Sequence, residues 1–338
     1  MKIEIGKPVD IKTLKGVRYI DFQGHNIISK KVAQIFLKSK DRTVIKKCII
    51  CKNKKIHLAA KVMKIEFFQC KNCNHVFNRH RYSEKFLKNF WKKKGDIINV
   101  HSHPNQQKYR SKHLSEPKVN KIIGFIKKDL KKVKWLDMGC GNGEFLIPAK
   151  KKGINVFGFD LNQRDIRLAK KKGINAYQNN FDEFYNLISK KNIKFDVASS
   201  TGYFDMIDDP SKEMSNLGKL LKKGSLLMIS LPNFDSAGHE IIKNYPSQSV
   251  RHLNACQRSS FTSKSLSYLL KNNGFKIIFR WQYGLDFYNI MNYLNLMNKN
   301  FEKSKTMEVM TKRYEDFQKI FDQENSSDTH YVIAKKIN

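Results

Sequence analysis

Several things are scarce or missing in this 338-residue chain, and each absence removes a class of protein. No apolar run approaches the roughly 18 residues that cross a bilayer. Met1-Lys2-Ile3-Glu4 opens on charge and not on an apolar leader, so the expected compartment is the cytoplasm. No Gly-Lys-Ser/Thr triplet occurs, which excludes a P-loop. Acidic residues are few, 30 against 65 Lys and Arg, for a net charge of +35. Such a surplus suits polyanions, and RNA is a second reading. The lysines are spread along the chain with no recognition motif, however, and an anionic small substrate suits the same field. Cysteine is also scarce, six in all, yet four of them form two tight pairs.

Those pairs are Cys48-Ile-Ile-Cys51 and Cys70-Lys-Asn-Cys73, 18 residues apart. Two residues between cysteines put both thiolates on one knuckle, and two knuckles complete a tetrahedron around zinc. Ile65–Gln69 reads as the strand leading to the second pair, and the unit resembles a zinc ribbon. Four cysteines close the shell, so the expected role is structural and His57 and His75 are read as bystanders. Before the ribbon, Val17–Phe22 and Val44–Ile45 are strand-like and Ser29–Leu37 helical. After it, Tyr82–Lys94 has helical spacing and Gly95 ends it. His101, His103 and His113 lack a metal-binding frame. Val119–Leu130 reads as an amphipathic helix with Ile122, Ile123, Phe125 and Ile126 inward.

From Val133 strands and helices alternate, which argues a parallel sheet. The first strand runs into Asp137-Met-Gly139-Cys-Gly141-Asn142-Gly143-Glu144, with Asn142 expected to cap a helix beginning near Gly143 and Pro148 to kink it or limit its first turn. Glycines there turn the chain tightly and let a ligand approach the backbone. A dinucleotide fingerprint fails at its third glycine, where Glu144 stands. Asp160 ends the second strand about 20 residues on, the spacing for a carboxylate on a ribose. The segment Lys151-Lys-Gly-Ile-Asn155 recurs at 171–175 as a second helix end and strand start. Further strands are expected at Ala176–Gln178, Phe195–Ser200, Leu226–Ser230, Phe275–Trp281 and His330–Lys335.

Asp-x-Gly-x-Gly-x-Gly with Asp160 downstream resembles the class I methyltransferases that use S-adenosylmethionine (SAM). The resemblance covers roughly residues 133–280 and the last strand. It implies an α/β fold: a doubly wound, Rossmann-like, seven-stranded sheet, last strand antiparallel, behind a small N-terminal zinc-ribbon domain. The division expected is 1–95 containing the ribbon (48–80), a linker and cap helix 96–132 with a flap at Tyr109–His113, and a catalytic domain 133–338. That domain carries a helical insertion, 285–325, whose apolar residues suit core packing or a homodimer surface.

The resemblance assigns SAM to Asp137, Gly139, Gly141, Gly143, Asp160, Leu161, Asn180, Phe181 and Ser200. Asp137 would orient the amino group, Asn180 face the adenine and Phe181 lie on its ring. Where nucleic-acid amino-methyltransferases carry Asn/Asp-Pro-Pro-aromatic, this chain has Ser200-Thr-Gly-Tyr203. Where related sugar methyltransferases have Glu-His, it has Asp205-Met206, so Asp205 is the candidate base. His252, after Arg251, is a second candidate for moving a proton or holding an anion. With the ribbon ahead, the chain looks like zinc-containing sugar methyltransferases, whose acceptor is a small molecule, an anionic nucleotide-linked sugar being the expected class.

Overall fold

The computed structural model describes residues 1–6, 22–87, 89–90, 108–247 and 252–337. The chain runs β1 (Lys2–Ile5), α1 (Phe22–Lys38), β2 (Arg42–Val44), β3 (Ile56–Val62), β4 (Ile65–Cys70), β5 (Val76–Asn78), β6 (His80–Tyr82) and α2 (Glu116–Ile123). It continues through β7 (Lys134–Met138), α3 (Ile147–Lys151), β8 (Asn155–Asp160), α4 (Gln163–Lys171), β9 (Asn175–Gln178), α5 (Phe181–Lys190), β10 (Phe195–Thr201), α6 (Pro210–Leu220), β11 (Leu221–Pro232) and α7 (Ala237–Asn244). It closes with β12 (Ser259–Ser260), α8 (Ser263–Asn272), β13 (Phe275–Gln282), three helices α9 (Asp286–Met297), α10 (Lys305–Lys312) and α11 (Tyr314–Gln323), and β14 (Thr329–Lys336).

The seven expected strands lie side by side in the order β13-β14-β11-β10-β7-β8-β9. Within that set β14 alone is antiparallel to its neighbours. The chain reverses direction across the sheet at β7 and β10, which opens a crevice at their carboxyl ends, where α/β sheets take ligands. Alternate side chains feed two cores. Leu136, Met138, Phe157, Phe159, Leu227 and Ile229 face one side. Trp135, Val156, Val197, Met228 and Ile333 face the other. Burial on both faces is why these strands read as nearly unbroken apolar runs.

The sheet has an eighth strand that the sequence reading lacked: β1 pairs in parallel with β13, Lys2 opposite Phe279 and Ile5 opposite Gln282. The ribbon is also continuous with the rest. Its strands β3, β4 and β5 extend through β12, with Phe77 opposite Ser259 and Val76 opposite Ser260. Cys48, Cys70, Cys73 and Phe77 belong to the same core cluster as Leu136 and Met138.

Three local expectations shift. The regular helix after the glycine turn starts at Ile147, not near Gly143, and Pro148 sits in its first turn. Proline has no N–H to give the carbonyl of Glu144, so the α-helical ladder cannot extend back past it. Asn142 accepts from Glu144 N–H (3.0 Å) as an isolated turn instead. The helix expected to run to Leu130 ends at Ile123, with Gly124 at its cap. Phe125 and Ile126 follow in tight turns and still pack inward. Tyr109–His113 forms helix leading into α2, with His113 stacked on Tyr109 (4.2 Å). His101, His103, Trp91, Gly95, Arg251 and Val17 lie outside the described residues.

The repeated Lys-Lys-Gly ends hold each other. Gly153 and Gly173 both take positive φ, +83° and +74°. Lys150, the residue just before the first copy, donates to the Lys172 carbonyl of the second (2.8 Å).

Gly143→Ala should destabilise the protein more than Gly224→Ala. Both glycines have φ near +80°, but a Cβ at 143 would lie 2.1 Å from Ile174 Cδ1, while at 224 the nearest atom is 3.8 Å away. Urea unfolding should give about 1 kcal/mol for the left-handed backbone alone and about 2–4 kcal/mol where overpacking adds to it.

Candidate active site: a glycine turn between two carboxylates

β7 ends in the turn and fixes Asp137 at its start. Trp135 Nε1 donates to Ser199 Oγ (2.8 Å), and Ser199 Oγ donates to Asp137 Oδ1 (2.5 Å). This relay ties the first strand to β10 through side chains as well as the ladder. Asp137 is buried, and desolvation pushes its carboxyl up to about 7 against the opposing bond from Ser199.

Gly139, Gly141 and Gly143 all have positive φ, +67°, +50° and +78°. They do different work. A Cβ at 139 would meet the Tyr203 ring at 2.8 Å, and one at 143 would meet Ile174. Those two allow the turn to pack. A Cβ at 141 would meet nothing within 4 Å, so the space over Gly141 is open. Asp160 stands against it: Oδ2 accepts from Gly141 N–H (3.0 Å) and Oδ1 from Asn162 N–H (2.9 Å). Its carboxyl is nonetheless raised, burial outweighing these bonds. The two bonds lock its orientation and leave lone pairs for a diol.

The residues around this space fit SAM on observations of the structure itself. Ser200 Oγ is buried without a hydrogen-bond partner at the end of β10. Leu161, next to Asp160, exposes 57% of its surface, an apolar face suited to a purine. Asn180 and Phe181 sit differently from the resemblance's simplest reading. Asn180 Oδ1 already accepts from Glu183 N–H (2.9 Å) in a reciprocal cap of α5. Phe181 is buried, 2% exposed, with its ring against Phe159 (5.7 Å). The available ring nearer the turn is Tyr203, whose OH donates to Glu213 Oε2 (2.7 Å). Burial pushes Glu213 up to about 7. Arg110 pairs with Glu144 (3.4 Å), which brings the segment before α2 onto the turn. The sequence offered a hint of both, an aromatic at the end of β10 and a flap at Tyr109–His113, but not their partners.

Past β10 lies the side from which a second reactant would approach. Asp205 is buried and desolvation pushes it up to about 6. Its Oδ2 accepts from Gln257 Nε2 (3.3 Å), and its Oδ1 is buried with no hydrogen-bond partner. His252 is stacked on His239 (4.8 Å between ring centres), whose Nδ1 meets Ser236 Oγ at 2.8 Å. Gln257 links the two segments, since its Oε1 accepts from Leu253 N–H (2.5 Å) while its amide reaches Asp205.

On the sheet's ribbon face, Sγ atoms of Cys48, Cys51, Cys70 and Cys73 all lie within 4.8 Å of one another, a set that could hold a metal ion. None is in a disulfide. Zinc–sulfur bonds of about 2.3 Å in a tetrahedron need sulfurs about 3.8 Å apart; Cys48–Cys73 at 3.6 Å and Cys51–Cys70 at 3.4 Å are near that spacing. Hydrogen bonding from Cys73 chiefly holds the Cys48 thiol below its usual range, and Cys73 is pushed up in turn. His57 is exposed, and His75 is buried against Ser259 Oγ (3.2 Å), a strut between ribbon and β12.

A family model described as a methyltransferase domain matches residues 101–278, more than half of the chain. The chain belongs to the methyltransferase-domain family. Relatives include the ubiquinone biosynthesis O-methyltransferase of Pelagibacter ubique, 29% identical over 158 residues, covering 44% of this chain and 63% of the relative. That of Rickettsia canadensis is 28% identical over 157 residues, covering 44% and 61%. The chain thus spans less than two thirds of the length of these curated relatives. Solved structures similar in fold include magnesium protoporphyrin IX methyltransferase of Synechocystis, with bound SAH (TM-score 0.47, 13% identity, 75% of this chain and 100% of that one). A SAM-dependent methyltransferase of Thermotoga maritima is another (TM-score 0.45, 16% identity, 73% and 99%). In this methyltransferase-family chain the matched stretch contains the turn, both carboxylates and Asp205. Among the described residues no helix is long and apolar enough to cross a membrane.

Asp160→Ala should weaken binding of S-adenosylhomocysteine about 30- to 1000-fold in a calorimetric titration, the loss of one or two hydrogen bonds to a charged acceptor. Gly141→Val, which fills the open space, should abolish binding.

Proposed function

We propose that this chain is a SAM-dependent methyltransferase whose acceptor is a small molecule, a sugar or nucleotide-linked sugar being the class favoured. The observation that carries the reading is the open space over Gly141, flanked by two desolvated carboxylates and an unpartnered serine hydroxyl. SAM, when bound, supplies an electrophilic methyl group. Asp137 holds the amino group, Asp160 the ribose hydroxyls, and Leu161 one face of the adenine. Phe181 supports the adenine wall from within the core, and Asn180 reaches it only through the second lone pair of its capping oxygen.

The acceptor lies beyond β10, aligned for in-line attack, with Asp205 Oδ1 as the group that takes its proton. His252 positions the acceptor or relays that proton. Four cysteine thiolates close the shell of a structural zinc, which leaves that ion no position for substrate and makes the ribbon a wall of the site. The relatives named for ubiquinone biosynthesis favour a second reading, transfer to an oxygen of another small acceptor. An RNA acceptor, which the charge of +35 suits, and a non-catalytic SAM-binding role, suggested by Met206, are the remaining alternatives.

Calorimetry with SAM tests the reading, and its pH dependence tests Asp137. Below about 7 the free protein holds Asp137 neutral. The ammonium of SAM prefers the carboxylate, so affinity should fall about tenfold per pH unit below that value and level off above it. Asp137→Asn should weaken binding and flatten the profile. Absence of SAM binding at any pH overturns the function. Labelled SAM with a panel of sugar nucleotides, quinol precursors and RNA identifies the acceptor; RNA binding that falls steeply with salt would favour the nucleic-acid alternative.

A further inference from the structure

At the seam between ribbon and catalytic sheet, two arginines are buried together. Arg81, on β6, is 8% exposed, and Arg258, just before β12, is 3% exposed. The Nε atoms of both lie within ion-pair distance of the same oxygen, Asp208 Oδ1, 2.9 Å from Arg81 and 3.2 Å from Arg258, and neither Nε makes a hydrogen bond. Arg81 Nη1 is spent on the carbonyls of Asn78 (2.7 Å) and His80 (3.1 Å). Arg258 lies over the rings of Tyr82 (5.6 Å) and Phe36 (6.0 Å), and its Nη1 reaches the Cys256 carbonyl (3.4 Å). Arg81 Nη2 is buried with no partner.

The charges do not cancel. Two guanidiniums, which do not deprotonate in proteins, share one carboxylate. Asp208's neighbour Asp209 is taken by Lys52 of the first cysteine knuckle (3.1 Å). A desolvated positive charge without a counter-ion is strongly unfavourable, so the pair is poised for a second anion. The way in is open at the carboxylate, since the Asp208 side chain is 53% exposed while the arginines form the floor. The place is also right for an acceptor. Arg258 N–H donates to the main-chain oxygen of Asp205 (2.8 Å), three residues before Asp208.

We propose that Arg81 and Arg258 anchor an oxyanion of the acceptor, a phosphate or a carboxylate, at the ribbon–sheet seam, with Asp208 holding the pair in register until it arrives. The inference rests on the small-molecule methyltransferase reading. It adds that β6, the strand following the ribbon, supplies substrate affinity through Arg81, and that the acceptor carries negative charge at a fixed remove from the atom methylated. Guanidinium forks bind such groups in two-point fashion, and both phosphate and carboxylate geometries suit them.

The test uses the whole, metal-loaded protein, with pyrophosphate and succinate as probes and thermal shift plus calorimetry as readouts. Pyrophosphate binding with succinate inert indicates a phosphate anchor, and the converse a carboxylate anchor. Arg81→Gln and Arg258→Gln should each weaken the binding probe about 10- to 100-fold, the loss of a charged hydrogen bond. Lys305→Gln, which removes one exposed charge on α10, should leave it unchanged. Asp208→Asn, which frees both guanidiniums, should lower the melting temperature without probe, bind the probe several-fold more tightly and be rescued by it. Should the arginine variants fail to fold, Asp208→Asn decides alone. Neither probe binding, an effect of Lys305→Gln equal to that of Arg81→Gln, or Asp208→Asn binding no better than the parent would overturn the anchor. S-adenosylhomocysteine titrated into the same samples separates the outcomes: binding there with no oxyanion site leaves the methyltransferase reading intact, and its absence removes that reading instead.

Discussion

The strand pairing of Val76–Phe77 with Ser259–Ser260 is the contact that joins the four-cysteine unit to the segments beyond β10. Two residues of ladder are little by themselves. Around them, however, His75 reaches Ser259, Asn78 N–H reaches the Arg258 carbonyl, and Lys52 and Arg81 hold Asp209 and Asp208. These ties come from the four-cysteine unit or, for Arg81, from the strand β6 that follows it, and end on segments beyond β10. A ribbon this small has little core of its own.

The cofactor side is built on a different logic. There the sheet does the work: β7 and β10 lie parallel, and the Trp135–Ser199–Asp137 relay crosses between them. Three glycines share a backbone sign but have three surroundings, a tyrosine ring, open space and an isoleucine. The pattern in the sequence shows that small residues are required; only the fold shows which one faces open space.

That contrast explains what was legible in advance. The presence of the seven main strands and the clustering of four cysteines were readable, because each is written in local patterning and spacing; the antiparallel last strand came from the family resemblance. Strand β1 was not: Lys2-Ile3-Glu4-Ile5 alternates as a strand does, but four residues are the shortest run that can show it, and both isoleucines are exposed. The convergence of Arg81 and Arg258 was invisible for another reason. They are far apart in sequence, each flanked by unremarkable residues, and only tertiary packing brings both onto one oxygen. The start of α3 was misplaced because capping by Asn142 and exclusion by Pro148 made opposite demands, and the missing N–H prevailed.

The first strand of the sheet has a consequence for how the chain is made. Residues 2–5 lie against 279–282, so nearly the whole sequence must be synthesised before that edge can close. At about 5–20 residues per second on the ribosome, the wait is on the order of tens of seconds. Throughout it, β1's partner β13 has not been made, and Ile3 and Ile5 have no ladder to join. Pairing of such long range also carries a large loop-closure cost. The edge should therefore form late, after the seven inner strands have already chosen their places, and it acts as a latch on a finished sheet, not as part of its nucleus.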